Sequence, residues 1–199
     1  MITVKQLERL WKARSHGRMI KELLASRPEN STRLEVELAA PVPAAALAIV
    51  RLDELSQGHV PLYGKLLRRV LSGQEADGGW GDPLTTAICL RALLAGRGHG
   101  IAIDRGLFYL ANMQKSEGIW PKVPFRRLPA DAYVSAFVLL QLGDKPQFRG
   151  AVRFFDALDW FESHEQELDA ETRRLWDHAS ARCQCPRPQL DRPQPALWS

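Results

Sequence analysis

Two stretches of one form decide the fold class that this sequence predicts: Gln74-Glu-Ala-Asp-Gly-Gly-Trp80 and Gln114-Lys-Ser-Glu-Gly-Ile-Trp120. Both follow the pattern Gln-x-x-Asp/Glu-Gly-x-Trp, and they start 40 residues apart. The same offset aligns residues 43–59 with residues 83–99, where Pro, Arg, Leu and Gly-His recur at equivalent places. Two independent matches at one offset indicate an internal repeat.

A third copy of the repeat is expected from Ala130 to Gly143, delayed by about seven residues because residues 121–129 form a longer, basic loop. Its outer segment, residues 149–160, ends without the glutamine or the glycine, so the repeat fades there. The predicted units are about 43–82, 83–122 and 130–162.

Each unit is predicted to be a helical hairpin. The segment after the tryptophan is rich in apolar residues and predicts a mostly buried inner helix, which Asp82 caps and Pro83 begins. The next segment, residues 104–115, predicts an amphipathic outer helix. Its apolar residues are Leu107, Phe108, Leu110, Ala111 and Met113. Consecutive hairpins of this kind make an all-α fold.

The repeat domain is predicted to span residues 31–182, with different segments on either side of it. Residues 1–30 predict a basic N-terminal helix or helix pair, and residues 165–181 predict an acidic helix that caps the stack. Residues 183–199 contain four prolines and little periodic apolar content, which predicts a disordered tail.

The glutamine–tryptophan motif, followed by a helix rich in small residues, resembles the repeat of the terpenoid cyclase and protein prenyltransferase superfamily. The resemblance covers about residues 43–142, half of the chain. It implies a partial α/α toroid of three to four hairpins with terminal capping helices, in which the motif residues are structural braces. Those residues are Gln74, Asp77, Gly78, Gly79, Trp80, Gln114, Glu117, Gly118 and Trp120. A HEAT-like solenoid fits a period of about 40 residues as well.

The catalytic elements of that superfamily are not matched in this sequence. It contains no Asp-x-Asp-Asp string and no Asp-Asp pair, and the zinc set stops at Asp131 and Cys89, without a histidine on a later inner helix. A closed toroid of this superfamily uses about six hairpins, so a chain with three or four is expected to leave hairpin faces uncovered. No catalytic residue, metal or cofactor is predicted; Asp131 is the acid to test if the chain is an enzyme.

The starts of the inner helices are the candidate binding surface, because the resemblance implies that these ends face the central concavity. The candidate residues are Asp82, Thr85, Thr86, Asp131, Tyr133 and Ser135. The competing interpretation is that the two aspartates are N-caps and that the hydroxyl groups satisfy backbone groups.

Composition and charge restrict the class of protein. The 199 residues are 45% hydrophobic and 25% charged, which is typical of one globular domain, and no apolar stretch is long enough to span a membrane. The N-terminus lacks a secretory-signal pattern, so a cytoplasmic protein is expected. The net charge of +4 is uneven: residues 5–22 carry +4 and residues 156–177 carry −6.

The function that the sequence favours is a non-catalytic binding or scaffolding protein whose concave face receives a protein or peptide partner or a hydrophobic small molecule. A second copy could supply the missing ring wall as a homodimer. The first alternative is an enzyme, or an enzyme subunit, that acts on an isoprenoid-like substrate. The second is a nucleic-acid-associated protein with a basic surface, which the absence of any helix-turn-helix, zinc-finger or RNP-type string disfavours.

Overall fold

Eight α-helices and one short 3-10 turn, with no β-strand, make up the residues that the computed structural model describes, which are 41–96, 99–124 and 128–183. The predicted all-α class is therefore confirmed for this part of the chain. The predicted helix or helix pair in residues 1–30 lies outside the described residues, as does the predicted tail apart from Cys183. None of the described helices is long and apolar enough to cross a bilayer.

The chain divides into two compact units between Gly73 and Gln74. In the first unit, helices α1 (Val42–Glu54) and α2 (Pro61–Ser72) pack against each other. Both helices have a proline in their first turn, where its missing N–H costs no helical hydrogen bond. Helix α1 buries mostly alanine and branched apolar side chains, whereas α2 buries only Leu66 and Val70.

The second unit contains the remaining six helices and the 3-10 turn, Glu165–Glu167. These helices are α3 (Pro83–Ala95), α4 (Gly100–Met113), α5 (Ala132–Leu142), α6 (Pro146–Ala151), α7 (Phe154–His164) and α8 (Ala170–Cys183). Helix α5 packs against α3 on one side and against α8 on the other, so these three form an inner row. Helix α4 packs on α3 and α6, and α6 packs on α7.

Burial separates the inner helices from the outer ones in the second unit. Nine of the thirteen residues of α3 and eight of the eleven residues of α5 are buried, whereas α4 buries four of fourteen and α7 buries three of eleven. A helix that is apolar on all sides needs neighbours on all sides, and a helix with one apolar stripe needs them on one side only. The composition of these four helices thus matches their layers, whereas α8, at the end of the inner row, buries only four of its fourteen residues.

Aromatic side chains fill the space between the inner and outer helices. Phe148 of α6 lies between Trp120 and Phe154, with ring centroids 6.0 Å and 6.4 Å away. Phe161 of α7 stacks on Trp176 of α8 at 4.5 Å, which ties the last helix to the outer layer. Burial of these large rings contributes to the hydrophobic stabilisation at this end of the unit.

Candidate functional site

Each of the two glutamines of the repeated motif binds its own turn and also the start of the next outer helix along the chain. The Nε2 group of Gln74 donates to the carbonyl oxygens of Gly78 (2.9 Å) and Ala102 (2.8 Å), and Ala102 lies in the first turn of α4. The Nε2 group of Gln114 donates to Gly118 (2.6 Å) and to Arg153 (3.0 Å), directly before α7. These bonds make both segments structural joints.

An arginine completes each joint, and sequence analysis did not find it. Arg105 of α4 donates to the carbonyl oxygens of Glu75 (2.9 Å) and Ala76 (3.2 Å) in the first joint. Arg153 donates to the carbonyl oxygens of Lys115 and Ser116 in the second. Arg105 lies 29 and 30 residues from the carbonyl groups it binds, and Arg153 lies 37 and 38 residues from its own, so no local pattern marks them.

The glycine after the acidic residue is required in both joints. Gly78 and Gly118 have φ angles of +93° and +87°, a region that side chains rarely adopt. A Cβ atom on Gly78 would lie 2.4 Å from the carbonyl oxygen of Arg105, and one on Gly118 would lie 2.6 Å from the carbonyl carbon of Asp156. At both glycines the turn therefore lies so close to the outer helix that a residue with a side chain would not fit.

The acidic residues of the two joints differ in what they bind. Asp77 accepts a hydrogen bond from the backbone N–H of Gly79 at 2.9 Å, inside the turn. Glu117 is exposed and accepts instead from the Ser116 hydroxyl at 3.0 Å. Hydrogen bonds from its own backbone N–H and from Ser116 lower the pKa of Glu117. The extra methylene of glutamate takes its carboxylate out of the turn, so only Asp77 braces its joint directly.

Two of the six candidate residues at the inner-helix starts, Thr86 and Ser135, are fully buried and bind the motif tryptophans. The Thr86 hydroxyl accepts from the backbone N–H of Trp80 at 2.9 Å, and the Ser135 hydroxyl accepts from that of Trp120 at 2.8 Å. The indole Nε1 of Trp120 donates in turn to the carbonyl oxygen of Leu110 at 2.8 Å. These hydroxyl groups fix each tryptophan to the helix behind it.

Asp82 and Asp131 are the N-caps of α3 and α5. Asp82 accepts from the N–H of Thr85 at 2.8 Å and from the Thr85 hydroxyl at 2.8 Å. Asp131 accepts from the N–H of Val134 at 2.9 Å. Four of the six candidate residues are only partly buried, so their side chains reach the surface at this end of the inner helices. They are Asp82, Thr85, Asp131 and Tyr133.

The two caps also show the register of the third unit. Asp131 lies 49 positions after Asp82, so the insertion is nine residues, two more than the sequence alignment gave. The inserted loop is closed at its base by an antiparallel bridge between Pro121 and Ala130 and by the 2.8 Å bond from the Asp131 N–H to the Trp120 carbonyl. The extra residues therefore lie between Pro121 and Ala130, and Asp131 keeps its position as the N-cap of α5.

Helix α4 differs from the prediction in its start and in the direction of one large side chain. It begins at Gly100, four residues earlier than expected, and Phe108 is 65% exposed although the sequence pattern placed it on the apolar face. Ile101, two turns before Phe108, is 82% exposed. The buried face consists instead of Gly106, Leu107, Tyr109 and Leu110. Because residues seven apart share a helix face, Ile101 and Phe108 lie on one exposed face of α4, with the charged Asp104 and Arg105 between them.

Two buried groups of the described chain have raised pKa values without a visible chemical role. Burial raises the pKa of the Cys89 thiol on α3, and the charge of Asp82 adds to the effect. Burial also raises the pKa of Tyr109, with contributions from Asp77, Asp82 and Glu75. Both groups stay neutral and serve as packing groups.

Within residues 41–96, 99–124 and 128–183, no group of three histidine, cysteine, aspartate or glutamate side chains is arranged to hold a metal ion. Comparison with known proteins finds no matching family model, no matching curated protein and no matching solved structure.

Proposed function

We propose that this chain is a non-catalytic binding or scaffolding protein made of hairpins like those of the cyclase and prenyltransferase toroids, and that it engages a protein or peptide partner. The exposure of two large apolar side chains, Ile101 and Phe108, on one face of α4 is the observation that carries this proposal. A large aromatic side chain exposed to 65% has a hydrophobic cost in water that contact with a partner would remove.

The repeat supplies an internal comparison for Phe108. The equivalent position is Arg68 in α2, by the 40-residue offset. In α7 it is Asp159, because Arg105 and Asp156 occupy the same place against Gly78 and Gly118. Both residues are charged and exposed. The architecture thus accepts a charged side chain at this position, which supports a binding role for the phenylalanine of α4.

The geometry of the helix starts supports an architectural role for part of the predicted concave surface. Thr86 and Ser135 are buried against the tryptophan backbone, and Asp82 and Asp131 bind the N–H groups of their own helices. Tyr133 and Thr85 remain partly exposed at this end and provide a second surface for the partner in this proposal.

Photo-crosslinking in the full chain tests the proposal. A photoreactive phenylalanine analogue is placed at position 108 on the exposed face of α4, at position 133 at the start of α5, and at position 159 as the matched control on α7. We expect one discrete adduct from position 108, identified by mass spectrometry, and none from position 159. An adduct from position 133 alone would assign the partner to the concave surface instead.

The substitution Phe108→Asp gives an independent test, because it copies the residue that α7 carries at the equivalent position. We expect an unchanged melting temperature and loss of the crosslinked partner from affinity purification, while Asp159→Asn retains it. Equal recovery of the partner with Phe108→Asp, or a monomeric wild-type chain that retains nothing, would contradict the proposal. Turnover of prenyl diphosphates that Asp131→Asn abolishes would favour the enzyme alternative.

A further inference from the structure

The exposed face of α4 has the same chemical order in both directions along the helix. Its residues, read from the N-terminal end, are Ile101, Asp104, Arg105 and Phe108, and all four are exposed. An apolar residue stands at each end, and one acidic and one basic residue lie between them. The midpoint of the four falls between Asp104 and Arg105. A half-turn about that midpoint therefore exchanges the two apolar ends and exchanges the two opposite charges.

Two-fold symmetry of this kind relates the subunits of most homodimers, in which both copies use the same surface patch. When two α4 helices pack antiparallel about the midpoint, Ile101 faces Phe108 of the second copy. Asp104 then faces Arg105 of the second copy, and each of these contacts occurs twice. The face is therefore complementary to itself in apolar character and in charge.

The two charged residues of this face are available for such a contact. Arg105 donates through Nη2 to the carbonyl oxygens of Glu75 at 2.9 Å and Ala76 at 3.2 Å, and its side chain stays exposed while it does so. A guanidinium that is already held by the joint loses less side-chain freedom on binding than an unrestrained one. Among the residues that the structure describes, the Asp104 carboxylate has no hydrogen bond or ion pair.

The equivalent positions on two other outer helices are not complementary to themselves. By the alignment of the repeat, these positions are Pro61, Gly64, Lys65 and Arg68 in α2, and Val152, Phe155, Asp156 and Asp159 in and just before α7. The α2 set carries only positive charge and the α7 set only negative charge, so the same half-turn would bring neither set to an opposite charge. Of these three helices, α4 alone combines self-complementary charge with two exposed large apolar residues.

We propose that this face joins two copies of the chain in an antiparallel α4–α4 dimer. The inference rests on the proposed function, because it names the partner that the exposed face of α4 engages. A partner of a single charge sign would set either Asp104 or Arg105 against a like charge, whereas a second copy does not. One helix from each copy buries less than the roughly 1,200 Å² of a stable complex, so we expect a reversible dimer with a dissociation constant of about 10–100 μM.

Sedimentation equilibrium of the full chain, from about 1 to about 500 μM, tests this dimer with a pair of complementary variants. Ile101→Glu and Phe108→Lys each set a charge against an apolar residue of the second copy, so each variant alone is expected to self-associate at least about tenfold more weakly. We expect an equimolar mixture of the two to form a heterodimer within about threefold of the wild-type affinity. In that heterodimer the introduced carboxylate and ammonium groups face each other, and the other apolar pair is unchanged.

Gln147→Lys and Gln166→Glu are the matched controls, because they make the same changes of charge at exposed positions outside α4. Both are expected to associate as the wild type does. All four variants are expected to keep the wild-type melting temperature, since each substituted side chain is exposed. The dimer is overturned if the wild type stays monomeric over this range, if the mixed variants do not associate, or if a control variant weakens association equally.

The photoreactive residue at position 108 separates this inference from the proposed function. A second copy as the partner gives an adduct of twice the chain mass, crosslinked near Ile101. A discrete adduct with a different protein would overturn the dimer and leave the proposed binding role intact. The absence of any adduct from position 108 would overturn both.

Discussion

At the scale of single residues, the joints depend on glycines whose backbone other residues do not adopt. We expect Gly78→Ala to lower the free energy of unfolding by about 3 kcal/mol, from the strained φ angle and the contact with the Arg105 carbonyl. Gly150→Ala on α6 is the control, because a Cβ there meets nothing within 4 Å. It should be neutral or slightly stabilising. Urea unfolding measures both, and equal stability of the two variants would contradict the role of Gly78.

The glutamine of the second joint is the other residue on which local structure depends. Gln114 accepts from the Arg153 N–H at 2.8 Å as well as donating to two carbonyl groups. We expect Gln114→Leu to cost about 2–3 kcal/mol, because three backbone groups lose a partner. The exposed Gln147→Leu on α6 should change stability by less than about 0.5 kcal/mol. If chemical denaturation finds the two variants alike, the side chain is not a brace.

At the scale of secondary-structure elements, side-chain caps determine where the inner helices begin. Asp169 caps α8 by accepting from the N–H groups of Glu171 (2.9 Å) and Thr172 (3.0 Å) and from the Thr172 hydroxyl (2.6 Å). Asp169→Ala is expected to cost about 1 kcal/mol. Asp177→Ala, at an exposed position further along the same helix, serves as the control. Thermal unfolding of the two variants tests the cap, and an equal loss in both would exclude it.

The same cap predicts a pH dependence of stability. Hydrogen bonds from the side chain and then the backbone of Thr172 lower the pKa of Asp169 from its ordinary value of 3.8. The folded state therefore binds this proton more weakly than the unfolded state does, so the contribution is fully present above about pH 4 and is lost as the pH falls through the folded pKa. The stability difference between the wild type and Asp169→Ala should shrink below pH 3.8. A difference that stays constant down to pH 2 would contradict the assignment.

At the scale of the whole molecule, the second unit is held together by aromatic contacts between layers rather than by surface charge. The ion pairs among the described residues, such as Arg153–Asp156 at 3.7 Å, are exposed and contribute little. Trp176→Ala removes the ring that stacks on Phe161, and we expect a loss of about 3–5 kcal/mol. Arg174→Ala, two residues away, should be nearly neutral. Hydrogen exchange in α5 and α8 is the measurement, and unchanged protection in Trp176→Ala would refute the prediction.

Local sequence signals predicted several features of this fold well. Asp82 followed by Pro83 marks a helix start because a cap and a first-turn proline act within one turn, and α3 begins at Pro83 and ends at Ala95, beside Gly96. The turn between Gln74 and Trp80 contains hydrogen bonds that span only two to four residues. Its bonds to α4 span 28 to 30 residues and were not predicted. The toroid arrangement, the binding role and the site residues remain predictions.

Other features could not be predicted because they depend on residues far apart in the chain. Apolar periodicity placed Phe108 inside, but the face that α4 buries follows from close approach at Gly106, where a Cβ would lie 2.8 Å from Leu90. The arginines that complete the joints bind carbonyl groups in another hairpin. The nine-residue length of the insertion before Asp131 follows from the positions of two N-caps, Asp82 and Asp131, which belong to different hairpins.

Local sequence accounts for the helical class of the described residues, for the repeated turn and for the capped starts of the inner helices, because each depends on interactions within a few residues of chain. Helix packing sets which outer-helix residues face solvent and brings the hydroxyl groups of Thr86 and Ser135 to the tryptophan backbone. It also brings arginines of three helices to carbonyl groups near the C-terminal end of α5: Arg91, Arg149 and Arg182. These contacts join residues that are 6 to 50 positions apart. Side-chain direction at such separations follows from how the helices pack, which no local pattern encodes.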